Sequence, residues 1–427
     1  MPLLVHPANL ALGLFIAAYV AFVVFPRRRS LTAIIAAVAL LAMRVLTPYA
    51  AFQAINWNVM GIFVGTLVLA DFFIESRMPA VLAERIVMLA RNTCRAMLLL
   101  CLLTGLISAF VENVATVLIM APIALALARN LKVNPTTLLI ALAVSSNLQG
   151  AATLIGDPPS MLLAGAARMG FMDFIVYRGR PGIFFSVQVG ALASLVVLYF
   201  FFRRDGRQID LHARETIRSW VPTWLLLALV LGLACSSFFD PDFKWLAGTL
   251  CLVVAAAGLV WDIAVNRGPL IDRIKGLDWD TTFFLMGVFV LVGSLTHTGW
   301  TDRIADMFAG MIGTNILLGY VLLIAVSVVI SGFVDNVPFL AAMLPVVMRM
   351  SEQLGSDPTV LLFGLLLGAS IGGNITPIGA SANIVTIGIL RREGFPVKFT
   401  EFMKIGLPFT IVAVAASAWF TWVVWGN

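Results

Sequence analysis

The chain has 427 residues, 61% hydrophobic and 12% charged, against about 25% charged in a soluble globular domain, which excludes a water-soluble fold. The net charge of +6 does not mark a nucleic-acid binder, because the basic residues stand in short clusters between apolar runs, where the positive-inside bias puts them. The polar connections at 203–219 and 266–280 are too short to hold a soluble core.

In chain order, the first apolar run, 7–25, has no basic region before it and Arg27-Arg28-Arg29 after it. It reads as a retained span rather than a cleaved signal peptide. Spans follow at 32–50 and 58–75. The segment 96–130 is apolar but broken by polar residues at its middle, so it reads as a re-entrant hairpin. The run 136–168 is too long for one span and holds Gly, Pro and Asn, which predicts an interrupted helix. Spans at 182–203, 220–238, 244–265 and 281–299 come next, then a second hairpin at 313–350, a second interrupted helix at 358–390 and a last span at 403–425. Each span is near the roughly 20 residues needed to cross the hydrocarbon.

The expected fold is therefore an all-α polytopic membrane protein with about 10 spans, two re-entrant hairpins and two interrupted helices. Its parts are N-terminal spans 1–56, a first repeat 57–203, a linker with middle spans 204–278, and a second repeat 279–427. With this span count, 21 of the 28 basic residues fall on one side, which predicts a cell (inner) membrane protein with both termini outside. The cysteines Cys94, Cys101, Cys235 and Cys251 are isolated and read as small apolar residues in helices.

An internal repeat organises the chain. Ser108-Ala-Phe-Val-Glu-Asn-Val114 returns as Ser331-Gly-Phe-Val-Asp-Asn-Val337, 223 residues later. Met120, Pro122 and Pro135 return at the same offset, and Thr153-Leu-Ile-Gly156 returns as Thr376-Pro-Ile-Gly379. Trp57 and Gly65 match Trp279 and Gly287 at an offset of 222, and Gly179-Arg-Pro181 matches Gly406-Leu-Pro408 at 227. The spans enter the two copies from opposite sides, so the repeat is inverted, a common plan for secondary transporters.

Both copies place an acid and an amide at the predicted hairpin tip, Glu112-Asn113 and Asp335-Asn336. A carboxylate inside an apolar segment is costly unless paired, hydrated or neutralised. It handles a proton or a cation, or it caps the following helix, and the two roles are compatible. The first break offers Asn147, Gly150, Thr153 and Asp157, and the second offers Asn374, Thr376, Ser381 and Asn383. Carbonyls and amides freed by such breaks coordinate ions or polar solutes. Sodium is expected at Asn113, Asn147, Asn336 and Asn374 if sodium is the coupling ion. Asp157 has Ala380 as its counterpart and reads as a third ion ligand or as a half-helix cap. Asp71 matches Gly293 and, with Glu75 and Arg77 nearby, reads as interfacial rather than as a proton carrier. His297 reads as interfacial too.

These four motifs resemble the ion transporter superfamily, within it the arsenite permease and P protein group, related to sodium/proton antiporters and divalent anion:sodium symporters. The resemblance runs from about residue 30 to the end. It implies a homodimer with a scaffold part, 1–56 and 204–278, and a moving, elevator-like transport part. Dicarboxylate carriers of the clan bear Ser-Asn-Thr at the tips; here the neighbours of Asn113 and Asn336 are Glu112, Val114, Asp335 and Val337. That departure favours a proton, a cation or a neutral hydroxide over a dianion. The resulting expectation is a secondary transporter that couples proton or sodium movement to export of arsenite or antimonite, with a partner ATPase subunit if it is an arsenite pump. The alternatives are a sodium/proton antiporter and a sodium-coupled organic anion (dicarboxylate or citrate) carrier. No cofactor beyond the coupling ion is expected. An intramembrane enzyme is disfavoured: Asp157 follows Leu-Ile-Gly rather than Gly-x-Gly, and the histidines form no His-Glu-x-x-His.

Overall fold

A computed structural model describes residues 6–90, 92–131, 134–203, 215–266, 270–313 and 315–426. Arg91, Lys132, Arg204, Arg207, Arg214 and Arg267, used above in the charge argument, lie outside the described residues, as does the linker stretch 204–214.

The first half of the chain forms α1 (Pro7–Val24), α2 (Arg29–Ala42), α3 (Pro48–Ala54), α4 (Trp57–Glu75), α5 (Met78–Met88), α6 (Thr93–Ser108), α7 (Asn113–Leu131), α8 (Pro135–Gly150), α9 (Pro158–Ala167) and α10 (Ile183–Phe202). The second half forms α11 (Val221–Phe239), α12 (Leu246–Asn266), α13 (Leu270–Gly276), α14 (Trp279–His297), α15 (Trp300–Ile312), α16 (Ile316–Ser331), α17 (Asn336–Leu354), α18 (Thr359–Gly372), α19 (Ser381–Arg392) and α20 (Phe399–Trp425). Among the described residues each half has ten α-helices, and from the third onward their lengths run in nearly the same order: a 7-residue helix, a 19-residue helix, a short helix, then the hairpin, the broken helix and a long last helix. The correspondence therefore reaches back through the N-terminal and middle spans to α1 and α11.

Local chemistry sets many of these boundaries. Asn56, Asn92, Asp278 and Asn315 cap α4, α6, α14 and α16 by accepting the backbone N–H three residues on, which satisfies one otherwise orphaned donor at each start. One boundary departs from the sequence reading. The span drawn at 32–50 is two helices: α2 has 14 residues, about 21 Å. The chain then turns through Arg44 at φ 57° and restarts at Pro48, which cannot sit inside a continuous helix. The sequence also gave no warning of α5 and α15, short helices that follow α4 and α14. Among the described residues, eight helices are long and apolar enough to cross a membrane, α7 with them.

The two halves interlock. α4 packs along α12, α14 packs along α2, and α10 packs along α20. Likewise α7 touches α19 and α17 touches α9, so each broken helix lies against the other copy's hairpin. Matching glycines make the first two contacts close. A Cβ on Gly65 would stand 2.6 Å from the Cys251 backbone, and one on Gly287 would stand 2.6 Å from the Ala33 Cβ. Asn58 of α4 donates to the Phe243 carbonyl (2.9 Å) and accepts from the Gly248 N–H (2.7 Å), at the start of α12. Its counterpart Asp280, on α14, accepts from the Ser30 hydroxyl at the start of α2.

Candidate functional site

Each hairpin turns just before its second arm, and the tip carboxylate sits at that turn. Glu112 Oε2 accepts from the Ala115 N–H at 3.0 Å, and Asp335 Oδ1 accepts from the Val337 N–H at 3.1 Å. Both acids thus cap α7 and α17, and the helix N-terminus favours their negative charge. At the second tip the other oxygen, Asp335 Oδ2, is already taken by a hydrogen bond from Arg29. At the first tip, the Ser108 hydroxyl donates to Asn113 Oδ1 at 2.7 Å and lies 2.8 Å from the Ser146 hydroxyl, which ties the tip to α8.

The breaks fall at 151–157 and 373–380, between α8 and α9 and between α18 and α19. Each is fastened to its own hairpin by one equivalent bond: Thr153 Oγ1 donates to the Ala109 carbonyl, and Thr376 Oγ1 donates to the Gly332 carbonyl. Both threonines are buried. Gly150 is where the Asn113 side chain presses on α8, and any Cβ there would overlap that amide.

The breaks are joined across the copies by amides. Asn147 Nδ2 donates to Asn374 Oδ1 (2.8 Å) and to Asn383 Oδ1 (3.0 Å). Asn374 in turn donates to the Val144 carbonyl, and Asn383 donates to the Gly373 and Thr376 carbonyls, all at 3.0 Å. All three asparagines are buried. In such surroundings an unpaired amide is expensive, so the triad fixes where the two half-helices stand.

The breaks start their second half-helices differently. Asp157 Oδ1 accepts from the Ser160 N–H at 3.0 Å and caps α9, while its Oδ2 is buried without a hydrogen-bond partner. Ala380 cannot cap, so α19 begins with no side chain on its first N–H groups.

Between tips and breaks lies a cavity of about 60 Å³, room for a few waters. Of the residues singled out in the sequence, Glu112, Asn113, Asn147, Asp157, Asp335, Asn336 and Ser381 line it. Gly150, Thr153, Asn374, Thr376 and Asn383 stand behind this lining as packing and fastening residues.

Four lining residues were missed: Arg29, Asp278, Thr281 and Phe284. Arg29 looked like one more member of a cytoplasmic basic cluster. It begins α2, and its guanidinium donates to Asp335 Oδ2 (2.8 Å), Thr281 Oγ1 (2.8 Å) and Ser381 Oγ (3.3 Å) over the Phe284 ring. Asp278 caps α14 and also accepts from the Thr281 hydroxyl. The one available signal was its register with Asn56, the cap of α4. Glu112, Asp157, Asp278 and Asp335 thus line one cavity with a single guanidinium, which pairs with Asp335.

Asp71 does not line this cavity; it lies 3.7 Å from Arg273, which also binds Glu75 and Asp262. His297 lines a separate cavity of about 460 Å³, with Gln53, Asn56 and Thr296.

Comparison with known proteins bears on both fold and role. The profile of a family described as citrate transporter matches residues 19–351 and 249–426. An uncharacterized transporter of Mycobacterium tuberculosis is 32% identical over 422 residues, covering 96% of this chain and 97% of its own. The human P protein is 25% identical over 448 residues, covering 84% of this chain and 52% of that protein. The solved structure of the YdaH transporter of Alcanivorax borkumensis superposes with a TM-score of 0.65 at 14% identity, over 98% of both chains. That last likeness establishes the fold alone.

Proposed function

Because the chain belongs to the citrate transporter family, and so is a multi-pass membrane transporter rather than an enzyme, we propose that it is a secondary carrier of a small carboxylate solute, driven by protons or sodium. The observation that carries this reading is the lining of the central cavity: two tip carboxylates from two copies, a partnerless Asp157 oxygen, and amides on both sides. Glu112 and Asp335 act as ligands of the coupling cation. Asn113, Asn147 and Asn336 supply neutral oxygens and N–H groups for the cation or solute. A free polycarboxylate is repelled by this acidic lining, so it enters after bound cations or protons have offset the charge. That order of events supplies the coupling.

Cation/proton antiport without an organic solute is the second reading, favoured by the excess of acids over Arg29. Arsenite export would need recognition of hydroxides by hydroxyls and amides, since none of the four cysteines lines the cavity. Purified protein in liposomes, with imposed pH or sodium gradients, separates the three. Citrate and dicarboxylate uptake that depends on a gradient and is lost in Glu112→Gln and Asp335→Asn supports the first. Gradient-driven cation exchange with no organic uptake selects the second, and arsenite flux the third. Residence in the inner membrane as a homodimer with both ends outside belongs to the same reading, and terminal reporter fusions with crosslinking test it.

A further inference from the structure

Among the described residues, Arg29 is the one cation lining the central cavity, and its partners belong to two different sets of helices. Asp335 and Ser381 sit on the second hairpin tip and the second broken helix. Thr281 and Asp280 sit on α14, the helix along which α2 itself packs. Glu112, the matching acid of the first tip, has no ion-pair partner among the described residues and faces the cavity open. The pairing is therefore peculiar to the second copy.

From this geometry we infer that Arg29 is a built-in counter-ion that holds Asp335 while the carrier is empty and is displaced when the coupling cation binds there. The inference rests on the cation-coupled reading above. An unpaired carboxylate inside a membrane protein is costly. With Arg29 in place, Asp335 is compensated when empty; with the cation bound, it is compensated again. Arg29 has somewhere to go on displacement: Asp280 Oδ2 is already 3.5 Å from its Nε, and Asp278 holds Thr281 beside it. The swing exchanges one acid partner for another on α14, so no bare guanidinium is left. It also unties the tip from α2 and α14, so cation binding and release of the tip become one event. Arg29 acts as a positioning residue through Asp335 and touches no solute in this role.

The test is coupling-ion dependence of transport in liposomes. Removing an opposite charge this close changes the apparent affinity of the other site by about tenfold or more. Arg29→Gln is expected to lower the half-saturating concentration of sodium, or of protons, by about tenfold, and to slow net flux relative to exchange because the empty tip is uncompensated. Arg29→Lys should restore most of both. Asp280→Asn weakens the second berth and should shift half-saturation the opposite way. In an Asp335→Asn background, where uptake is lost, Arg29→Gln should leave binding of the coupling ion to the purified protein, read by calorimetry, unchanged. The inference is overturned if folded Arg29→Gln stays within twofold of the parent, if its effect persists without Asp335, or if Asp280→Asn shifts in the same direction. Unchanged ion dependence in Asp335→Asn alone sinks the cation-coupled reading itself. Should Arg29→Gln not fold, the Asp280→Asn and Arg29→Lys arms decide alone.

Discussion

Replacing Asn147 by alanine isolates the bond between the two broken helices. Its amide supplies the hydrogen bonds at 2.8 and 3.0 Å to Asn374 and Asn383, whose own N–H groups are engaged with backbone carbonyls. Truncation therefore leaves two acceptor oxygens at residues that are 0% exposed. A buried polar group stranded in this way costs about 1–3 kcal/mol, so the pair costs roughly 2–6. Interhelical hydrogen bonds measured in membrane bundles average about 0.6 kcal/mol, which sets a floor of roughly 1. The expected loss is about 2–4 kcal/mol, because these oxygens are enclosed by protein on every side and gain no lipid-phase substitute. Asn147→Asp should lose more than Asn147→Ala, since it turns the shared donor into an acceptor facing two carbonyl oxygens. Unfolding in mixed micelles, followed by far-UV ellipticity against denaturant, reads both. An Asn147→Ala midpoint indistinguishable from the parent, or an aspartate variant more stable than the alanine one, would refute the assignment of the triad as the joint between the breaks.

Other perturbations follow from the same contacts. Gly65→Leu and Gly287→Leu should each lower the unfolding midpoint sharply, because a side chain at either position collides with the facing helix at 2.6 Å; parent-like stability in either would contradict the close α4–α12 and α14–α2 packing. Asn58→Leu strands the Phe243 carbonyl and the Gly248 N–H, about 1–3 kcal/mol each, and should speed hydrogen exchange at the start of α12; unaltered exchange there argues against the bond. Gly165 and Gly388 occupy the same repeat position, yet a Cβ on the first meets Asn56 and Val59 at 2.7 Å, whereas one on the second meets nothing. Gly165→Leu should therefore destabilise and Gly388→Leu should not; equal losses from the two would count against this difference between the copies. A loss of transport in folded Gly388→Leu is expected if the copies exchange arrangements during the cycle, and full transport would exclude that.

Repetition made much of the architecture legible. Tip motifs 223 residues apart located both hairpins, and the Gly/Pro/Asn clusters located both breaks, because residues that interrupt a helix inside a membrane announce themselves. Residues whose meaning depends on where a helix end lands were hidden. Arg29 sits in a run of three arginines, and nothing local separates the one that turns inward. Asp278 reads as a common helix cap until α14 is set beside the tips. Thr153 and Thr376 looked like ligands, yet each hydroxyl binds a carbonyl of its own hairpin, a contact between segments 44 residues apart that periodicity cannot reveal. Helix α5 escaped notice because α4 seemed to run straight into a polar loop.

The interlocking of the halves bears on how the chain is made. When the ribosome has released only the first ten helices, α4 still lacks α12, α7 lacks α19 and α10 lacks α20, so neither the tip acid nor Asn147 has its final surroundings. Assembly must wait for the last helix to emerge, and the nascent first half needs shelter, from lipid, insertion machinery or chaperone, for as long as translation continues. Two halves synthesised as separate polypeptides should be unstable singly and rescue each other when made together.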